Sequence, residues 1–116
     1  MDSAERRRHP RFEVRKGIYI ATPTMSGELL NVSQGGLAFR YVVGKGEGEF
    51  QPAIVFDDHS VYLDWVPVRS ISEEPLARKV KGFDDLKRHS VQFGALSEEQ
   101  QAQVERFIMR NGTEQI

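Results

Sequence analysis

The sequence predicts an all-β domain, a sandwich or a barrel, followed by one C-terminal helix. Three observations point there. Short runs of alternating apolar and polar residues recur along the chain, with turn signals at intervals of roughly eight to twelve residues, the pattern of antiparallel strands. Only the segment after Gly94 carries a helical apolar period, and a capping signal stands in front of it. At 116 residues the chain is the size of one domain and long enough for a single core.

Residues 1–11 are read as a flexible N-terminal arm and residues 12–116 as the domain proper, because the first segment has few apolar residues to anchor it. Strand signals begin near Phe12. Ile18 and Ile20 alternate with Tyr19 and Ala21, the pattern of a half-buried strand. Pro23 through Gly27 reads as a hairpin connection, and Leu29 to Val32 as the return strand. After Gly35-Gly36 the chain turns again, and Leu37, Phe39 and Tyr41 alternate with Ala38, Arg40 and Val42. Gly44, Gly46 and Gly48 mark a connecting loop. Their spacing is not that of a phosphate loop, which needs a following helix and a lysine-serine pair.

Ala53 to Phe56 is a short apolar run ended by the turn Asp57-Asp58-His59-Ser60. Val61 to Val68 is the next strand, with Val61, Leu63 and Trp65 on one face, directed inward. Pro67 marks an edge or a strand end. Ser72 to Pro75 reads as a loop, Ala77 to Phe83 as a further strand and Asp84-Asp85 as a turn. Arg88 to Gly94 is the last strand, with Val91 and Phe93 inward. In the helix, Ser97 is the N-cap and Gln100 completes a capping box. Glu98 and Glu99 suit the positive first turn. Val104, Phe107 and Ile108 form one apolar stripe, and Asn111-Gly112 is the stop.

Composition narrows the function classes. Cysteine is absent, so disulfides, a thiol nucleophile and a zinc-cysteine site are excluded. His9, His59 and His89 are not at metal-ligand spacing, and Ser33 has no neighbouring base, so neither a metal site nor an enzyme is expected. No apolar stretch is long enough to span a bilayer, and no signal-peptide core is present. The net charge is −1, which argues against a binder of long nucleic acid. Positive charge is instead local: Arg6, Arg7, Arg8, Arg11, Arg15 and Lys16 gather near the N-terminus. That suits a small anionic ligand at one edge.

Two stretches carry the chemistry. In the first, Pro10 disfavours helix and leaves Arg7 and Arg11 on an extended segment that can wrap a ligand. A guanidinium fork matches phosphate oxygens and the O6/N7 edge of guanine. The second is Asn31-Val32-Ser33-Gln34-Gly35-Gly36. If Glu28 to Ser33 is a strand, Asn31 and Ser33 share one face and offer amide and hydroxyl groups. Gly35 and Gly36 allow positive φ or a close ligand approach. Taken alone, the first stretch reads better as a solvated basic tail and the second as an ordinary polar turn.

Together, Arg7-x-x-x-Arg11 and then Asn31-x-Ser33-x-x-Gly36 resemble the two-part motif of the PilZ domain, the bacterial receptor module for cyclic di-GMP (c-di-GMP). All five defining positions are met, and the resemblance runs from about Glu5 to Ile108. It implies a six-stranded antiparallel β-barrel with a C-terminal helix, in the bacterial cytoplasm. It also implies a binding module that relays c-di-GMP levels to a partner protein, and it leaves that partner unknown. The ligand residues it implies are Arg7, Arg11, Asn31, Ser33 and Gly36, and Gly35 joins them from the chemistry of the glycine pair. Some relatives place a tryptophan against guanine, so Trp65 is a candidate for stacking as well as for packing. The residue before the arginine pair influences ligand stoichiometry in such relatives. Here it is Arg6, so two c-di-GMP molecules per chain are expected. Two other readings stand beside this one: a single-stranded nucleic-acid-binding barrel, which needs exposed aromatic platforms, and a ligand-free PilZ-like interaction module.

Overall fold

The computed structural model describes residues 9–75 and 87–116. Its elements are β1 (Phe12–Val14), β2 (Tyr19–Ala21), β3 (Met25–Val32), β4 (Gly36–Gly44), β5 (Gln51–Phe56), β6 (Val61–Pro75), β7 (Lys87–Phe93), α1 (Glu98–Asn111) and β8 (Gly112–Gln115). Six strands close on themselves. The ring runs β2-β5-β6-β7-β4-β3 and returns from β3 to β2, with every pair antiparallel. The chain is therefore the expected six-stranded barrel with a C-terminal helix.

The other two strands extend the sheet at β3. The first half of β3 carries β2, with Glu28 opposite Tyr19, and its second half carries β1, with Val32 opposite Phe12. The break between β1 and β2 turns at Gly17, whose φ of 90° is open to glycine at little cost. β8 pairs in turn with β1, Gln115 opposite Phe12 and Gly112 opposite Val14. The sequence reading ended at a helix stop and missed this strand. Gly112 has φ −70°, so it leads straight into β8 rather than turning the chain back. A side chain there would sit 2.6 Å from the Ile108 carbonyl oxygen, and close approach explains the glycine.

Inward residues alternate along the strands. Ile18, Ile20, Leu29, Val32, Leu37, Phe39, Val55, Leu63 and Val91 are buried in one cluster. Alternation fails where strands bulge. In β4, Arg40 and Val43 oppose Glu28 and Ser26, so one extra residue is accommodated at Tyr41, which has φ 55°. Tyr41 faces solvent and Val42 turns inward. In β6, Leu63 and Val66 oppose Val55 and Ala53, and Trp65 takes φ 54°. Trp65 is 68% exposed, which corrects its expected inward orientation; Val61 is exposed as well. Bulges re-aim side chains in this way, and periodicity alone does not reveal them.

Other expectations shift. Ser72 to Pro75 is the end of β6, paired with β7 as far as Pro75 opposite Lys87, and not a loop. Gly27 lies inside β3, where a Cβ would come within 2.8 Å of the Phe39 ring, so the hairpin turn is shorter than predicted. Pro67 lies within β6 opposite Pro52, not at a strand end. The strand predicted at Ala77 to Phe83 and the Asp84-Asp85 turn lie outside the described residues, as do residues 1–8 of the arm.

The helix starts as predicted. Ser97 Oγ accepts from the Gln100 N–H at 3.1 Å, and Gln100 Oε1 accepts from the Ser97 N–H at 3.0 Å. Val104 and Phe107 are fully buried, and each contributes about 1.5–3 kcal/mol of apolar transfer. At the helix end Arg15 forms a latch. Its Nε donates to the buried Asn111 at 2.9 Å, while Nη2 donates to Asp57 at 2.6 Å and to the Tyr62 hydroxyl at 2.9 Å. The Tyr62 hydroxyl donates to the same Asp57 oxygen. These bonds, first that of Tyr62 and then those of the His59 N–H and Arg15, hold the Asp57 carboxyl well below the usual carboxylate range. Arg15, which the sequence grouped with the basic cluster, is thus tied into the barrel.

Candidate ligand-binding cleft

Arg11 of the first half-motif and the second stretch meet at one cleft of about 280 Å³ on the barrel surface. Arg11 reaches it from the segment before β1, Asn31 from β3, and Gly35 and Gly36 from the turn into β4. β1 brings this about: with Phe12 opposite Val32 and Glu13 opposite Asn31, Arg11 continues the register toward the Ser33 turn, and it lines the same cleft as Asn31. The Arg11 carbonyl accepts from the Ile116 N–H at 2.9 Å, which fixes the backbone there from the C-terminal side.

The turn is stapled to β7. Ser33 Oγ accepts from the N–H groups of Gly35 and Gly36 at 3.1 and 3.2 Å, and the Ser33 N–H donates to the Gly36 carbonyl at 2.9 Å. The Phe93 N–H donates to the Gly35 carbonyl at 3.0 Å. Ser33 does not line the cleft; its hydroxyl shapes the glycine turn that does. Nor does Ser33 continue the Asn31 face by strand alternation. Leu29 and Asn31 oppose Phe39 and Ala38, so β3 bulges at Leu30, and Val32 turns into the core. Neither Gly35 nor Gly36 has positive φ. Gly36 is required by contact: a Cβ would lie 2.2 Å from the Val91 carbonyl oxygen. At Gly35 a Cβ would meet His9 Cδ2 at 3.1 Å, inside the cleft.

Arg6 and Arg7 lie outside the described residues. Trp65 is not among the residues lining the cleft; it sits near the start of α1, where its carbonyl accepts from Gln100 Nε2. Sequence reasoning missed His9, Ile71 and Gln92 of the cleft wall. His9 had a signal, since it stands inside the arginine-rich segment. Ile71 had none: it is aimed by a register shift between Ser70 and Ser72 of β6.

Of the remaining histidines, His59 is exposed in a turn and its N–H donates to Asp57 Oδ1. His89 is buried, stacked on Phe39 at 5.8 Å, with Nε2 3.6 Å from Glu73. Burial pushes the His89 pKa down, opposed by the Glu73 charge. Among the described residues no three His, Asp or Glu side chains are grouped to hold a metal, and no helix is long and apolar enough to cross a membrane.

A comparison with solved structures finds the crystal structure of YcgR in complex with c-di-GMP from Escherichia coli, at a TM-score of 0.69 and 19% sequence identity. The chain has the fold of this PilZ-domain protein. The match covers 90% of this chain and 45% of YcgR, so the chain spans less than half of that protein's length. At this identity the likeness is one of fold. No protein-family model and no curated protein matches the sequence.

Proposed function

We propose that the chain is a PilZ-type binding module, not an enzyme, that takes c-di-GMP in the cleft between Arg11 and the Asn31–Gly36 turn. The observation that carries this reading is the convergence of Arg11 with Asn31, Gly35 and Gly36 on one surface, in a fold shared with a protein crystallised with that ligand. The Arg11 guanidinium is suited to a phosphate or to the guanine O6/N7 edge, and the Asn31 amide supplies both donors and an acceptor. Arg7 joins Arg11 from the preceding residues, and Arg6 brings a third guanidinium that supports two ligand molecules per chain. Ser33 acts through the turn. Ordering of residues 5–11 around the ligand relays occupancy to a partner protein in the bacterial cytoplasm. Among the described residues no Phe, Tyr or Trp lines the cleft, which counts against a single-stranded nucleic-acid barrel.

Calorimetric titration with c-di-GMP, with linear pGpG and GTP as controls, tests the reading. Selective binding of two equivalents, reduced to one by Arg6→Leu, is the expected result. Absence of c-di-GMP binding refutes the function; one equivalent in the unmodified chain removes only the role of Arg6. Amide exchange of residues 5–11 should slow when ligand is added, and unchanged exchange in the saturated protein refutes the relay.

A further inference from the structure

A second cleft, of about 490 Å³, opens beside the first across Arg11 and Asn31, which line both. Lys16, Arg40 and Arg88 line it too, against the carboxylates of Glu13 and Glu28. Glu28 is already engaged: Arg40 Nε and Nη2 each lie 2.8 Å from its Oε1. That bond, with the Arg40 guanidinium 4.7 Å above the Tyr41 ring, fixes one wall of the cleft. The bulge at Tyr41 turns that ring outward beside Arg40, and bulges and positive φ in an aromatic residue are features that recur beside binding sites. Lys16 and Arg88 have no ion-pair partner among the described residues. Among the described residues the cleft therefore holds two cations, Lys16 and Arg88, that form no ion pair, and it shares Arg11 with the first cleft.

We propose that this second cleft is an anion subsite of the same ligand site, in which Lys16 and Arg88 take a phosphodiester group of the bound cyclic dinucleotide that lies beyond the cleft of Asn31 and Gly36. The inference rests on the function proposed above and adds residues outside the motif to it. A cyclic dinucleotide carries two phosphodiesters on opposite sides of its ring. A site that engages one of them from the side of Arg7 and Arg11 leaves the other on the far side of the ring, where it calls for a further cation. Arg88, on β7, and Lys16, in the turn between β1 and β2, supply one from elements that the motif does not include. A guanidinium hydrogen-bonded to phosphate makes a charge-assisted contact, stronger than a neutral one.

Titration of Arg88→Ala and Lys16→Ala with c-di-GMP tests the subsite, with thermal melting of each free variant as the check on folding. Arg88→Ala should bind roughly tenfold more weakly at low salt, with a smaller loss at high salt, because the contact is ionic. Lys16→Ala should weaken binding in the same direction, and Arg88→Lys should restore most of it by keeping the charge. Arg110→Ala, on the exposed last turn of α1 and outside both clefts, should bind as the unmodified chain does. Two results overturn the subsite while leaving the first cleft standing: unchanged affinity in Arg88→Ala and Lys16→Ala together, or an equal loss in Arg110→Ala, which would mean that overall charge alone is at work. No binding by the unmodified chain overturns the proposed function, and the subsite with it.

Discussion

The two glycines of the turn should fail in opposite ways when each is given one methyl group. In Gly36→Ala the new Cβ lies 2.2 Å from the Val91 carbonyl oxygen, 3.2 Å from the Val91 carbonyl carbon and 3.3 Å from Gln92 Cα. An ordinary carbon-to-oxygen contact is about 3.3 Å, so β4 and β7 must separate by about 1 Å. All three atoms are backbone, so no side-chain rotation relieves the clash. Overpacking of this kind costs about 1–3 kcal/mol. The displacement also strains the Phe93 N–H bond to the Gly35 carbonyl, which is worth about 1 kcal/mol. The expected loss is about 3 kcal/mol. In Gly35→Ala the methyl's one tight neighbour is the His9 ring at 3.1 Å, a solvent-exposed side chain that can turn away, and Ser33 Oγ at 3.7 Å is an ordinary contact. Its stability should change by less than about 0.5 kcal/mol, but the methyl occupies the cleft, and c-di-GMP affinity should fall. Urea denaturation read by circular dichroism separates the two. With slopes of about 1–3 kcal/mol per molar, the Gly36→Ala midpoint should drop by about 1 M or more at unchanged slope. A Gly36→Ala midpoint equal to that of the unmodified protein would refute the contact argument.

Other expectations follow from the same geometry. Arg11→Ala should lower c-di-GMP affinity roughly tenfold to a hundredfold by loss of a charge-assisted contact, as read by calorimetry. Ser33→Ala removes the acceptor for two backbone N–H groups and should cost about 1 kcal/mol of stability, measured in urea; a loss of affinity with no loss of stability would instead make Ser33 a direct ligand contact. The Asp57 carboxyl titrates lower in the folded protein than in the unfolded chain, so its contribution is complete above about pH 4 and fades as acid protonates it. Asp57→Asn should flatten the fall of stability below that pH, and Tyr62→Phe should flatten it in part. His89 is also harder to protonate when folded, so the unfolded chain binds its proton first and stability declines as pH falls through about 6.5. His89→Gln should remove that decline, seen by melting between pH 7 and pH 5.

What the sequence made legible was whatever depends on local patterning. Ser97 and Gln100 announce the helix because capping chemistry lies within four residues. Ile18, Ile20, Val91 and Phe93 announce their strands because alternation holds there. Trp65, Tyr41 and Leu30 escaped because a bulge adds one residue to one strand, and only the partner strand reveals the count. β8 escaped because Gly-Thr-Glu-Gln has no apolar alternation; it forms by pairing with β1 at the other end of the chain. The site divides in the same way. Arg11, Asn31, Gly35 and Gly36 were found by residue type and spacing, and the cleft unites them. Ile71, Arg40 and Arg88 belong to strands whose arrangement around the barrel no local signal encodes.

The pairing of β1 with β8 also bears on how the molecule assembles. Phe12 and Gln115 stand at opposite ends of the barrel sequence, so this pairing closes a loop of nearly the whole chain. Contacts of such sequence separation form late, after the hairpins β3-β4 and β5-β6, which need little chain to close. The segment that carries Arg11 should then dock in the last step of folding. Substitutions in β1 or β8 should leave the refolding rate nearly unchanged and speed unfolding. A protein damaged there would refold on time and lose the cleft around Arg11 first.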